Sequence, residues 1–207
     1  RTLKAPAVLA SGISPNFGQP WPEEFIWDNG IIRIDQEKLS EASDDRVEYL
    51  YSMFEQQGVN EDLDPIEWGW TLPMWRRCLE LWEDNEIIVI FGGNRSSKST
   101  FAARLSVWLA LNIPAAEIRC WHTASDRSIE DQQKFIYEAL PQQYKDLTQT
   151  QSKDYALGYS QKEGFSKDIA IFPKHPGYKT GSYIKFNNYN PWHKDPQKIE
   201  GMSCHFI

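Results

Sequence analysis

The chain has 207 residues, 41% hydrophobic and 25% charged, with a formal net charge of −7. That composition supports a packed globular core and excludes collagen-like, mucin-like and wholly disordered classes. No run of 18 apolar residues occurs, so no transmembrane helix is expected. Three scattered cysteines (Cys78, Cys120, Cys204) form neither a disulfide framework nor a zinc site, which suggests a reducing compartment. The charge is uneven. Residues 1–85 carry seven Lys and Arg against seventeen Asp and Glu, and residues 86–207 carry fifteen against twelve. An acidic front half and a mildly basic rear half fit two functional regions. The acidic total argues against sequence-independent coating of DNA by this piece alone.

In chain order, residues 1–30 hold Pro6, Pro15, Pro20 and Pro22 with Gly12 and Gly18, and read as an extended arm with little regular structure. Ile31–Ile34 is a short strand candidate. A helix capped by Asp44 or Asp45 is expected to run to about Gln57, with Val47, Leu50, Tyr51 and Phe54 on one face and Gly58 ending it. Pro73 suits the first turn of a second helix, whose buried side would carry Trp75, Cys78, Leu79 and Trp82. Ile87–Phe91 is a continuous β-branched and aromatic run, the pattern of a strand buried on both faces. Thr100–Leu111 reads as a helix closed by Pro114, Ile118–His122 as a strand, and Ser125 or Asp126 to Leu140 as a helix ended by Pro141. Strand, loop, helix, strand, helix indicates a parallel α/β layer. Residues 142–167 read as loop. Asp168–Phe172 and Ser182–Phe186 read as strands around a hairpin-like insertion, residues 187–199 as a polar loop, and Cys204–Ile207 as the start of another strand.

The chemistry concentrates in Gly92–Ser99, GGNRSSKS, between the apolar run and the helix. A phosphate-binding loop turns tightly from a buried strand into a helix, so that backbone N–H groups converge on phosphate oxygens. A lysine before the helix reaches the outer phosphates and the next hydroxyl ligates magnesium. Gly92 opens the loop, Lys98 is the lysine and Ser99 the hydroxyl, with Gly93, Asn94, Arg95, Ser96, Ser97 and Thr100 completing the nucleotide-binding set. The strict pattern has Gly where this chain has Ser97, and a Cβ there restricts the backbone.

GGNRSSKS, with Asn94 and Arg95 inside it, resembles the variant Walker A motif of the large terminase subunits of tailed bacteriophages, in which serine can precede the lysine. GSYIKF at Gly181–Phe186, Asn187–Asn190 and DPQKIEG at Asp195–Gly201, followed by an apolar strand, are similar to the stretch leading into Walker B of that family. The likeness covers roughly residues 65–207. It implies an α/β P-loop NTPase of the additional-strand catalytic-glutamate, RecA-like type, with residues 1–85 as an N-terminal arm and helical lid region and 86–207 as an ATPase core. The implied activity is ATP hydrolysis with Mg2+, coupled to translocation of viral double-stranded DNA into the procapsid in the host cytoplasm. The implied partners are the portal protein, the small terminase subunit and further copies in a ring, with no membrane.

By the same resemblance, Lys98 binds the β/γ-phosphates and Ser99 the metal. Arg95 is either a finger stabilising transition-state charge or a salt bridge at the loop's edge. Trp75 falls near the family's adenine-contacting glutamine and is either a base-stacking residue or core. Cys204–Ile207 would begin the Walker B strand, with its acidic pair just beyond Ile207, so this chain is expected to bind nucleotide and hydrolyse it poorly. The alternatives are another P-loop nucleic-acid ATPase of helicase or recombination type, and a non-hydrolysing nucleotide-binding structural module. Arg104, Arg119 and Arg127 are candidates for a finger acting on a neighbouring subunit. Lys174, Lys179 and Lys185 with Tyr178 and Tyr183 form a basic-aromatic hairpin able to meet DNA phosphates or simply solvent. His122, His175, His193 and His205 lack metal-ligand spacing, and Cys120-Trp-His122 lacks a third partner for a nucleophile.

Overall fold

The computed structural model describes residues 17–28, 31–82, 85, 87–147 and 154–189. It is a mixed α/β structure in which helices surround four small sheets. Two short strands, β1 (Gln19–Pro20) and β2 (Phe25–Asp28), precede β3 (Ile31–Ile34). β2 and β3 pair antiparallel, with Phe25 opposite Ile34 and Asp28 opposite Ile31. Residues 17–28 are therefore not an unstructured arm, while residues 1–16 lie outside the described residues. Phe17 is buried and meets Phe101 and Trp108 edge-on, at centroid distances of 6.1 and 6.4 Å. Burying such a ring contributes about 2 kcal/mol, enough to hold a segment that Pro and Gly alone would leave extended. Gly18, at φ +69°, lets the chain pass against Thr71 and the Gly69 carbonyl, where a Cβ has no room. The Thr71 hydroxyl then donates to the Phe17 carbonyl at 2.8 Å.

Helix α1 (Gln36–Glu41) is capped by Asp35, whose carboxylate accepts from the Glu37 and Lys38 amides. Helix α2 (Asp44–Leu63) is capped by the Ser43 hydroxyl accepting from the Arg46 amide, not by Asp44 or Asp45. It runs through Gly58 to a C-cap at Asp64. A glycine inside a helix costs about 1 kcal/mol, and the last turn offsets this by packing on a later helix (α6, below) and pairing Glu61 with Arg104. Only part of the expected apolar face is covered: Leu50 is fully buried, while Tyr51 and Phe54 are exposed. Phe25, Leu50 and Trp70 form a small core with Trp21, Ile32 and Ile34 packed on it. β4 (Trp70–Thr71) pairs parallel with β1, and α3 (Pro73–Trp82) follows with Trp75 and Leu79 buried.

The main core surrounds α4 (Lys98–Asn112), which buries Phe101, Ala103 and every residue from Leu105 to Ala110. A helix apolar nearly all round belongs in the middle of a fold. β5 (Glu117–His122) and β9 (Tyr183–Asn188) fall close to the strands expected at Ile118–His122 and Ser182–Phe186 and pair parallel in register from Glu117–Tyr183 to His122–Asn188, whereas the sequence pattern builds the parallel layer on Ile87–Phe91. β8 (Ile169–Ile171) lies antiparallel on the other edge of β9, giving the order β5-β9-β8. The buried Ser182 hydroxyl donates to the Ile113 carbonyl at 2.8 Å and accepts from the Ala116 amide, fixing the end of α4 to the sheet.

Between them, α5 comprises Ser125–Arg127, a π-helical stretch Ser128–Gln133 and Lys134–Glu138. The region expected to be loop contains α6 (Gln142–Leu147) and the short hairpin β6 (Tyr159–Ser160) and β7 (Gly164–Phe165). Their few residues give no measurable period. Side chains from both sides of residue 85 share the main core.

The run Ile87–Phe91 departs most from expectation. It is not a strand: Ile87, Val89 and Phe91 are 80%, 67% and 92% exposed, and no described strand pairs with it. A two-sided buried strand needs neighbours on both edges and layers on both faces, and the described residues supply neither here. The expected strand at Cys204–Ile207 lies outside the described residues.

Candidate phosphate-binding site

The loop Gly92–Ser97 enters α4 directly. Ser97 is the N-cap of that helix, with φ 57° and ψ 20°, and its carbonyl accepts the first helical bond from the Phe101 amide at 3.0 Å. No side chain caps this end. Unfilled N–H groups at a helix start attract anions through both hydrogen bonding and the helix dipole. Arg95 also has positive φ, 61°, whereas Asn94 and Ser96 do not. Alternating signs of φ turn successive N–H groups toward one concavity, the backbone arrangement of anion-binding nests.

Lys98 closes the loop on itself. Its ammonium donates to the Gly92 and Gly93 carbonyls, both at 2.7 Å, and to the Ser96 hydroxyl at 2.9 Å. All three donors of the lysine are thus used within the loop. A Cβ at Gly92 would stand 2.7 Å from the Ser96 hydroxyl and 3.4 Å from the Lys98 side chain, so a larger residue there would make the Ser96 hydroxyl shift. Gly93, Asn94 and Ser99 are exposed, and the Gly93 position has open space around it. Among the described residues the Arg95 guanidinium has no carboxylate partner, so the salt-bridge reading is not realised.

Thr100, in the first turn of α4, lines a cleft of about 330 Å³ with Arg104, Glu61, Asp62, Phe135 and Lys145 among its walls. Burial lowers the affinity of the Lys145 amine for its proton. Arg104 pairs with Glu61 and lies 6.0 Å over the Trp75 ring. Trp75 is 5% exposed and stacks on Phe101 at 5.3 Å and 26°. Of its two readings the structure realises the core one: Phe101 and Arg104 occupy the ring, and no face is open for a base.

Other expected residues are scattered. Arg127 pairs with Glu130 on the surface, and the Arg119 Nε is buried without a hydrogen-bond partner. In the basic-aromatic hairpin, Lys174 pairs with Asp154 at 2.6 Å and Tyr178 is exposed. Burial pushes the Cys120 thiol up to about 12, so it forms no thiolate near neutrality. No group of three metal-ligating side chains occurs among the described residues, and none of their helices is long and apolar enough to cross a membrane. His193 and His205 lie outside the described residues.

The contact that sequence reasoning missed is Trp27. Its indole N–H donates to the Arg95 carbonyl at 3.2 Å, bridging 68 positions of sequence. A tryptophan in a four-residue strand carries no signal of such a partner. Compared with protein-family models, curated proteins and solved structures, the chain matches none.

Proposed function

We propose that the chain binds the phosphates of a nucleotide at Gly92–Ser99. The observation carrying this reading is the closed loop itself: Lys98 drawn onto the carbonyls of Gly92 and Gly93, with left-handed residues at 95 and 97, at the uncapped start of a buried helix. Incoming phosphate oxygens would replace those carbonyls as acceptors of the Lys98 ammonium and would meet the first N–H groups of α4. The Ser99 hydroxyl, exposed beside them, would ligate Mg2+. Arg95 is the side chain free to reach the outer phosphate. ATP is the nucleotide that the terminase resemblance favours. On the same basis we read the region 86–207 as part of a P-loop ATPase core of a DNA-packaging motor working on double-stranded viral DNA. The resemblance in GGNRSSKS and in GSYIKF supports that finer reading.

The test is binding of a fluorescent ATP analogue with and without Mg2+. Lys98→Ala removes the cation and is expected to weaken binding at least tenfold, as loss of a charge-assisted contact of about 1.5–3 kcal/mol implies. Equal binding by wild type and Lys98→Ala, with both folded, overturns the assignment.

A further inference from the structure

We propose that Trp27 is a positioning residue for the phosphate loop, acting through the Arg95 carbonyl; the inference rests on the nucleotide-binding reading above. The two left-handed residues of the loop are not held alike. Ser97 is fixed by the helix it begins, through the Phe101 amide. Arg95 has no such support from its own element. A non-glycine residue in that region persists only where its surroundings hold it, and the group that meets the Arg95 peptide is the Trp27 indole N–H.

The consequence for anion binding follows from peptide geometry. In a planar trans peptide the C=O and the following N–H point in opposite directions. Holding the Arg95 carbonyl toward Trp27 therefore sets the Ser96 N–H the other way, away from the indole. Rotation of this one peptide would reverse an N–H of the nest and present a carbonyl oxygen to phosphate instead. Trp27 is itself well anchored: its ring packs against the main core and meets Trp21 edge-on at 6.5 Å, and Trp21 meets Trp70 at 6.2 Å. The N-terminal hairpin β2–β3 thus reaches the loop through one donor on a rigid aromatic base.

The variant is Trp27→Phe, which keeps an aromatic ring against Trp21 and removes the indole N–H together with part of the ring. Binding of Mg–ATP and of inorganic pyrophosphate is measured on the chain, with wild type and Lys98→Ala in parallel. Trp27→Phe is expected to bind both probes about fivefold more weakly, the factor for one lost hydrogen bond. A second readout is taken on the wild type and does not depend on the variant's affinity. In the 15N–1H spectrum of the wild type, the indole signal that is missing from Trp27→Phe should shift during the pyrophosphate titration, saturating with the binding curve. Unchanged affinity in a folded Trp27→Phe, or a stationary Trp27 indole signal at saturation, overturns the proposal while leaving the loop assignment intact if Lys98→Ala still weakens binding at least tenfold. Absence of binding by the wild type overturns both.

Discussion

Ser97→Gly is the substitution that most directly probes the loop backbone. Ser97 sits at φ 57° and ψ 20° and its hydroxyl makes no capping bond. An L-residue in this region costs about 1–2 kcal/mol, and glycine removes that cost. Glycine also loses more freedom on folding, worth about 0.5–1 kcal/mol in the opposite direction. The difference is a net stabilisation of about 0.5 kcal/mol, or a rise in Tm of about 1–2 °C for a chain of this size. Ser97→Ala retains the strain and loses no hydrogen bond, so it should be neutral. The assay is urea unfolding of the three proteins side by side, with common m-values required before the midpoints are compared. A Ser97→Gly variant less stable than wild type beside a neutral Ser97→Ala would refute the left-handed assignment. Nucleotide affinity should survive in Ser97→Gly, since the loop shape is kept.

Two stability expectations complete the set. The Glu24 carboxylate, almost fully buried, is gripped by both Nε and Nη2 of Arg46 at 2.7 and 2.9 Å, and this hydrogen bonding holds its pKa below the ordinary value. A carboxyl lowered in the folded state stabilises it above the ordinary carboxylate value and loses that contribution as pH falls through the lowered one. Arg46→Met should cost about 2 kcal/mol at neutral pH by leaving the carboxylate buried without its partner, and should flatten the acid limb of stability against pH; an unchanged limb counts against the ion pair. Gln133 is fully buried, accepts from the Phe165 amide at 2.7 Å and donates to Asp168 at 3.0 Å. Gln133→Leu fills the same space and orphans both groups, so urea unfolding should register a loss of about 2–3 kcal/mol; a loss below about 0.5 kcal/mol would mean the network does not hold the β7–β8 turn.

Where a segment is long enough to repeat its period, or is bounded by proline, its place in the fold was legible. Pro73 opens α3, Pro114 lies two residues past α4, and the two parallel strands Glu117–His122 and Tyr183–Asn188 fall where β-branched and aromatic residues cluster. Short elements were not legible: β6 and β7 hold two residues each, and what fixes them is Gln133, more than twenty-five residues away. The cap of α2 was misplaced by one or two residues because Ser43, Asp44 and Asp45 are all competent caps, and only backbone geometry selects Ser43. In the candidate site, the loop at Gly92–Ser97 leading into a helix was legible because it is local in sequence. The stacking of Trp75 on Phe101 and the bond from Trp27 were not, because each depends on a partner distant in sequence.

The exposed run Ile87–Phe91 sharpens the role of those distant partners. Burying its large apolar side chains would contribute roughly 2 kcal/mol each, a sum comparable with the whole stability of a typical domain. Among the described residues that stabilisation is forgone, and the loop receives no support from a strand before Gly92. Among the described residues its shape then rests on two attachments: the helix that starts at Lys98, buried along most of its length, and the Trp27 indole on the flank. The internal lysine clasp joins Gly92 and Gly93 to Ser96, but it moves with the loop and anchors it to nothing else. The sequence pattern points to the strand as the loop's foundation. Among the described residues the structure puts that foundation in α4 and in a hairpin some 70 residues upstream, so on the reading proposed above a change at Trp27 should alter the loop although the two are remote in sequence.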